Sequence, residues 1–348
     1  SLSIGRQMVL QFDADGRQEE IRGGMNEEQR DAAISTGRNY FMSPGQGRSG
    51  ASQLVRQGVA FQRTGDPMAG EAYRGLMAAL EEYYQTDEYI NNDGLARYDN
   101  DFRDAWAWEV GVLWDLHEES GLFSDDERVR YTNLVMRLML EIEYYQGYER
   151  RLEDWRAHND LVHNHNTFPA LAAHFIGSYF RRHYDGGALA EHVRMWLDVA
   201  EGVFRGIRHS PKPLEDAAGY QWLPMIHLMA WSLAGGDTTY FDEGHALETA
   251  RVAMMVTDNA GYQAAFGDHS GYLGASGIGA VLPPIAWYTR DAGVLWQLER
   301  LGGRSGVVLG QPYYVDFAPE PPADITGVTV ARLPRMAYDY AGRSPQYP

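Results

Sequence analysis

The chain has 348 residues, of which 44% are hydrophobic, and its formal net charge is −18 at pH 7. The length and apolar content predict a folded protein with one large domain and part of a second, and they exclude a disordered chain. The negative charge disfavours binding to nucleic acid, and the absence of cysteine excludes disulfides, thiolate catalysis and cysteine-ligated zinc.

The first 48 residues are rich in glycine and polar side chains. We predict an irregular segment over residues 1–48, with one strand at residues 8–12. Residues 1–5 lack the basic and apolar regions of a signal peptide. No apolar run of about 18 residues follows in the chain, so a membrane span is not expected.

From about residue 50 the sequence is typical of successive helices of similar length. Asp66-Pro67 places an N-cap before a proline at the first helical position, and Ser124 and Glu127 have the spacing of a capping box. Apolar residues at helical spacing predict further helices near 102–119, 168–183, 187–206, 222–234, 243–257, 275–289 and 291–301. Paired helices with short loops predict a mainly α fold, an (α/α) toroid or incomplete α/α barrel, over residues 49–310.

The last part of the chain, residues 311–348, has a different character. The proline-rich residues 319–322 predict a linker, and the β-branched residues of 325–331 predict a strand. We therefore expect a linker and the first strands of a C-terminal β-domain, which is either truncated here or used as an appendage to the toroid.

The densest group of polar residues lies at 158–167, directly before the helix predicted to start at 168. A helix N-terminus presents unpaired N–H groups and a positive dipole end, which favour an anion such as a uronate carboxylate. The plainer alternative is that Asn166 or Thr167 only caps the helix. The concentration of histidine and asparagine in this segment favours a functional site.

A metal site formed by His158, His163 and His165 is a further alternative for the same segment. Zinc-binding histidines on a helix are usually four residues apart. The spacing of these three histidines matches no strong zinc signature, so no metal is assigned to them.

A second polar stretch, residues 216–222, precedes another apolar helix. Tyr220 follows a glycine at the entrance of that helix, where a tyrosine on its own usually serves packing. Two predicted helices separate Tyr220 from Asn164 and His165. In a ring of helix pairs such entrances recur on one rim, so we expect these three residues to face one cleft.

Asn164-His165, followed by Tyr220 55 residues after the histidine, resembles the toroid polysaccharide lyases. These include the heparinase II/III-like and alginate lyase families and their dermatan-sulfate epimerase relatives. Gly267-Asp268-His269 resembles a Gly-Asp step that these families carry near the end of the helical region. Residues 327–332 resemble the strand that begins their β-sandwich, and the likeness covers roughly residues 50–335.

The resemblance implies a lyase that cleaves a uronic-acid-containing polysaccharide by β-elimination. Asn164 would neutralise the uronate carboxylate with help from His165, although Asn166 could hold the same role. Tyr220 would take the proton as tyrosinate, protonate the departing oxygen, or do both. His165 could instead be the base for the epimeric uronate.

Several further side chains are predicted to bind the substrate. They are Asn166, Gln221, Trp222, His269 and Arg103, with Trp106 and Trp108 as weaker candidates that could equally belong to the core. The basic residues are nearly all arginine, which binds carboxylates bidentately, so a basic cleft is compatible with the negative charge. The chemistry requires no cofactor, although a structural metal in the β-domain stays open. The resemblance implies a secreted or periplasmic protein.

Two other functions remain open from the sequence. A glycoside hydrolase on a similar α/α barrel would need two carboxylates facing a cleft, for which Asp216 and Asp268 are the candidates. A non-catalytic toroid that only binds glycans or a protein partner would show no turnover.

Overall fold

The computed structural model describes residues 24–43, 46–86, 102–144, 164–184, 186–211, 217–235, 237–257, 263, 276–300 and 317–322. For residues 102–105, 144, 276, 277 and 300 the structure describes the backbone but not the side chains. The described residues are mainly helical, which confirms the predicted mainly α class. The chain divides into two compact units, one made of Ser1–Asp160 and Phe168–Val203, the other of Leu161–Thr167 and Phe204–Pro348.

The first unit contains a succession of long helices. They are α1 (Glu27–Met42), α2 (Gly47–Thr64), α3 (Pro67–Tyr84), α4 (Phe102–His117), α5 (Asp125–Tyr144), most of α6 (Asn164–His183) and most of α7 (Leu189–Ile207). Helices α1, α2 and α3 pack on one another, α4 packs on α2, and α5 packs on α4 and α3. The core between them includes Trp114 and Tyr131, whose rings meet edge to face.

Helix α1 corrects the prediction that residues 1–48 are irregular. The Asn26 side chain accepts a hydrogen bond from the Gln29 backbone N–H at 2.8 Å, and the Gln29 side chain accepts one from the Asn26 N–H at 3.0 Å. This reciprocal pair is a capping box. The prediction was wrong over α1 because Asn-x-x-Gln is a start signal that we overlooked, and the strand at residues 8–12 lies outside the described residues.

Two predicted helix starts are confirmed by their hydrogen bonds. The Asp66 side chain accepts from the Met68 N–H at 2.9 Å, with Pro67 at the first helical position. Before α5, the Ser124 hydroxyl accepts from the Glu127 N–H at 3.3 Å and the Glu127 carboxylate accepts from the Ser124 N–H at 2.9 Å. Both starts follow from side chains within three residues of the cap, which is why the sequence alone predicts them.

Helix α6 begins at Asn164, one turn earlier than the predicted start at residue 168. Pro169 therefore lies inside the helix and cannot donate the usual hydrogen bond to the His165 carbonyl. The prediction was wrong here because proline favours the first helical position. Asn164, His165 and Asn166 form the first turn, where backbone N–H groups have no acceptor within the helix.

The second unit contains shorter helices. They are α8 (Trp222–Leu233), α9 (Thr239–Asp242), α10 (His245–Met255), α11 (Ser276–Thr289) and α12 (Ala292–Arg300). Helix α11 packs against α8, α10 and α12, and its buried residues include Val281, Leu282 and Ile285. The helices predicted near 222–234, 243–257, 275–289 and 291–301 are confirmed within a few residues.

β-Structure in the described part of the chain is limited to an antiparallel bridge between Thr257 and Gln263. Residues 319–322, the predicted linker, have no regular structure, and the Glu320 N–H donates to the Ala292 carbonyl at 3.1 Å. The strand predicted at 325–331 lies outside the described residues. None of the described helices is both long enough and apolar enough to cross a membrane.

Candidate functional site

The three residues predicted to be catalytic belong to one compact unit. Asn164 and His165 lie within the segment Leu161–Thr167, which the structure groups with Phe204–Pro348 and thus with Tyr220. Asn164 is buried, with 6% of its surface exposed, whereas His165 and Tyr220 are half-buried. Both positions stand at the N-terminal end of a helix, α6 for the Asn-His pair and α8 for the tyrosine.

A buried hydrogen bond ties the start of α6 to the middle of α8. Thr167 in the first turn of α6 has its hydroxyl oxygen 2.8 Å from Nδ1 of His227 in α8. The same hydroxyl donates to the Asn164 carbonyl at 3.2 Å. The tautomer of His227 decides which of the two atoms donates in this bond. The backbone that carries Asn164 and His165 is thereby fixed to the helix that Tyr220 precedes.

His227 is 2% exposed, and burial lowers its pKa to about 3. A neutral imidazole keeps one nitrogen as a donor and the other as an acceptor. His227 therefore positions its neighbours over the whole ordinary pH range, and it brings no positive charge to the site. Sequence analysis missed His227 because a histidine on an apolar helix face gives no local signal of its partner 60 residues away.

Acid is expected to weaken the fold through His227. Its pKa is about 3 in the folded chain against 6.5 for an ordinary imidazole. Between these values the unfolded chain binds a proton that the folded chain excludes, so the free energy of unfolding rises with pH across this window. One such group contributes up to about 1.4 kcal/mol per pH unit.

Urea unfolding across that window measures the effect. The variant His227→Gln has no such proton, so its stability should rise less steeply with pH, by up to the same amount. Part of the pH dependence of the unfolding free energy remains in His227→Gln, because burial lowers the pKa of His117 and of His174 to about 4. Equal slopes for wild type and His227→Gln would contradict the account.

The turn that presents Tyr220, residues 217–221, is held by buried amides. The Ala218 carbonyl accepts from Nε2 of Gln221 at 3.1 Å and from Nε2 of Gln263. The Oε1 of Gln263 accepts from the indole N–H of Trp222 at 2.8 Å. These bonds fix the backbone on both sides of Tyr220. No sequence signal marked Gln263, since it lies in none of the predicted helices or polar clusters.

Gln221 and Trp222, predicted to line the substrate subsites, are 0% and 1% exposed. Side chains without exposed surface have no face to offer a sugar ring. The structure favours a supporting role for both, holding the turn that carries Tyr220, in place of the predicted contact with substrate. Asn166 is half-buried at the first turn of α6, where a substrate group has access.

The remaining candidates divide between the core and the undescribed part of the chain. Trp108 is 6% exposed and stacks on Phe175, so it belongs to the core of the first unit, whereas Trp106 is half-buried. Arg103 lies in the first turn of α4, and its side chain is outside the description. The predicted residues that lie outside the described residues are His158, His163, Asp216, Gly267, Asp268 and His269.

Comparisons with models of protein families, with curated proteins and with solved structures gave no match to this chain.

Proposed function

We propose that this protein is a polysaccharide lyase that cleaves a uronic-acid-containing polysaccharide by β-elimination on an α/α toroid. The observation that carries the proposal is the link between Thr167 and His227. It joins the start of α6, which carries Asn164 and His165, to α8, which follows the half-buried Tyr220. The site thus combines anion-stabilising donors with a phenol suited to proton transfer.

The reaction makes demands that these groups can meet. A base removes the proton from the carbon next to the uronate carboxylate, and the bond from the neighbouring carbon to the 4-linked oxygen breaks. A double bond forms between these two carbons. Negative charge builds on the carboxylate during this step. Preorganised donors aimed at that charge are worth roughly 2.7–4 kcal/mol each, and the first turn of α6 supplies backbone N–H groups together with Asn164 and His165.

We assign removal of the proton next to the carboxylate to Tyr220, because Asn164-His165 and Tyr220 resemble the toroid lyases. A phenol has an ordinary pKa of about 10, so it serves as base only where positive groups favour its ionised form. It serves as acid, protonating the departing oxygen, without such help. One tyrosine that performs both steps implies a syn elimination. His227 is no competing base, since burial holds its pKa at about 3.

The toroid is supported by the order of the helices in the first unit. Two residues connect α2 to α3, and seven connect α4 to α5, as expected for antiparallel helix pairs. The linker and first strands of a β-sandwich at the C-terminal end are part of the same proposal, as is a secreted or periplasmic location.

Replacing Thr167 by valine tests the hydrogen bond that links the start of α6 to α8. The change removes the hydroxyl that bonds the buried Nδ1 of His227, which costs about 1–3 kcal/mol of unfolding free energy. Because Asn164 and His165 lie on the same turn, we expect kcat for the lyase reaction to fall as well. The matched variant Thr167→Ser keeps the hydroxyl and should restore both quantities. Equal behaviour of the two variants in urea unfolding and in turnover contradicts the proposed positioning.

A hydrolase is separated from a lyase by its product. The lyase leaves an unsaturated sugar that absorbs in the near ultraviolet, whereas the hydrolase leaves two saturated ends. A chain that only binds glycans leaves the polymer intact. The proposal is wrong if cleavage of a uronate polymer proceeds without this absorbance.

A further inference from the structure

Three metal-ligating side chains meet in the second unit, and none of them is assigned to the lyase reaction. His209 follows the end of α7 by two residues, Glu243 follows α9, and His245 is the first residue of α10. Gly244 between the last two has a φ of 85°, a left-handed conformation that glycine adopts without strain. This turn lets Glu243 and His245 approach the same point from positions two apart in the sequence.

The distances fit a tetrahedral metal. Nδ1 of His209 lies 3.2 Å from Oε2 of Glu243, and Nε2 of His245 lies 3.4 Å from the same oxygen. The three ligand atoms all lie within 4.8 Å of one another. Zinc bonds of 2.0–2.2 Å in a tetrahedron place neighbouring ligand atoms about 3.3 Å apart. The two imidazole rings are nearly perpendicular, at 88°, with their nitrogens directed at one carboxylate oxygen.

The ligand set and its exposure also fit zinc. Two imidazole nitrogens and one carboxylate oxygen are ligands that zinc accepts, and a fourth position remains for water. The side chains of His209, Glu243 and His245 are 52%, 56% and 22% exposed, so an ion can reach them from solvent. Other histidine–carboxylate pairs in the described residues, such as His192 with Glu143, bring only a single histidine to the acid.

One neighbour opposes a cation at this place. Nε of Arg208 donates to Nε2 of His209 at 3.0 Å, and the other end of the guanidinium pairs with Asp237. This contact leaves the imidazole proton on Nδ1, where it faces Glu243. A metal at Nδ1 moves the proton to Nε2, so the guanidinium must turn away. Arg208 therefore weakens metal binding through both its donor and its charge.

We propose that His209, Glu243 and His245 form a zinc-binding site that ties the end of α7 to the turn between α9 and α10. The ion replaces two histidine–glutamate hydrogen bonds by three coordinate bonds between segments that are more than thirty residues apart in the chain. It takes no part in the β-elimination. Zinc binding to the folded chain also raises its thermal stability, because the unfolded chain does not hold the three ligands together.

Calorimetric titration of the full chain, freed of metal with a chelator, tests the site with zinc chloride as the probe. We expect the wild-type chain to bind one zinc ion. His245→Asn and Glu243→Gln should each weaken this binding. Affinity should fall by more than about 10-fold, since even residues that only support a metal ligand contribute 10–100-fold. His192→Asn should leave the binding unchanged, and magnesium, which prefers oxygen ligands, should not compete.

Arg208→Gln is the decisive second variant, because a gain of affinity cannot arise from misfolding. We expect it to bind zinc more tightly than the wild type and to show a larger rise of Tm with zinc. The inference is overturned if Glu243→Gln and His245→Asn bind as the wild type does, or if His192→Asn loses as much affinity as they do. It is also overturned if Arg208→Gln, folded by circular dichroism, binds no more tightly. Lyase activity does not enter these readouts.

Discussion

Tyr220→Phe is expected to lower kcat on a uronate polysaccharide by about 10²–10⁴-fold, the range for loss of a general acid or base. The phenol oxygen is the only atom removed, and the ring remains to fill its half-buried place before α8. The turn beneath it is held by Gln221, Gln263 and Trp222 through bonds that the substitution does not touch. Substrate affinity should therefore change little while turnover collapses.

Tyr288→Phe is the matched control for this loss. Tyr288 lies in the same unit, is half-buried, and donates its hydroxyl to Asp242 at 2.8 Å. Steady-state kinetics of both variants, with KM and kcat separated, should show a large fall in kcat for Tyr220→Phe alone. Turnover of Tyr220→Phe within a few-fold of the wild type would remove Tyr220 from the chemistry.

Asn164→Ala is expected to lower kcat by about 10²–10³-fold, the loss measured for one donor at a developing anion. The backbone contribution survives, because alanine favours a helix and the Asn164 carbonyl still accepts from Thr167. The loss then reports on the side-chain amide. Asn166→Ala is the matched variant on the same turn and should cost less than 10-fold if Asn164 neutralises the carboxylate.

The comparison of these two variants settles which asparagine acts. Asn164 is buried and Asn166 half-buried. A buried amide is better preorganised, because its side chain does not have to be ordered when the charge develops. A larger loss in Asn166→Ala than in Asn164→Ala would transfer the role to Asn166, and the absence of loss in both would leave the helix N-terminus without a catalytic amide.

Much of the helical fold follows from local sequence signals. Asp66-Pro67 and the Ser124–Glu127 pair predict their helices correctly because a cap bonds backbone groups within three residues of itself. Asn26 and Gln29 follow the same rule and were readable from the sequence. The prediction therefore missed α1 although the sequence contains its start signal.

The start of α6 shows where local signals stop. Pro169 favours a helix that starts beside it, yet the helix includes Asn164 a turn earlier. The bond between Thr167 and His227 favours the longer helix, and these residues are 60 apart in the sequence. A contact at that separation depends on the packed structure, so apolar spacing and capping residues carry no information about it.

The same limit applies to the side chains predicted to bind the substrate. The amide, imidazole and phenol of Asn164, His165 and Tyr220 indicate the proposed chemistry by residue type, and their catalytic role stays a prediction. Trp222 looked equally suited to a sugar subsite, but it is buried with its N–H on Gln263. Burial and distant hydrogen-bond partners appear only once the helices are packed.

Cleavage of uronate polysaccharides in water enriched in heavy oxygen tests the central claim most directly. Elimination breaks the bond without adding water, so the new ends, sampled before the reducing-end oxygen exchanges with solvent, should carry no heavy oxygen while the unsaturated product absorbs in the near ultraviolet. Tyr220→Phe should abolish both the cleavage and the absorbance. Heavy oxygen at the new reducing end would show hydrolysis, and a panel of uronate polymers left intact by the wild-type chain would show that it is no lyase.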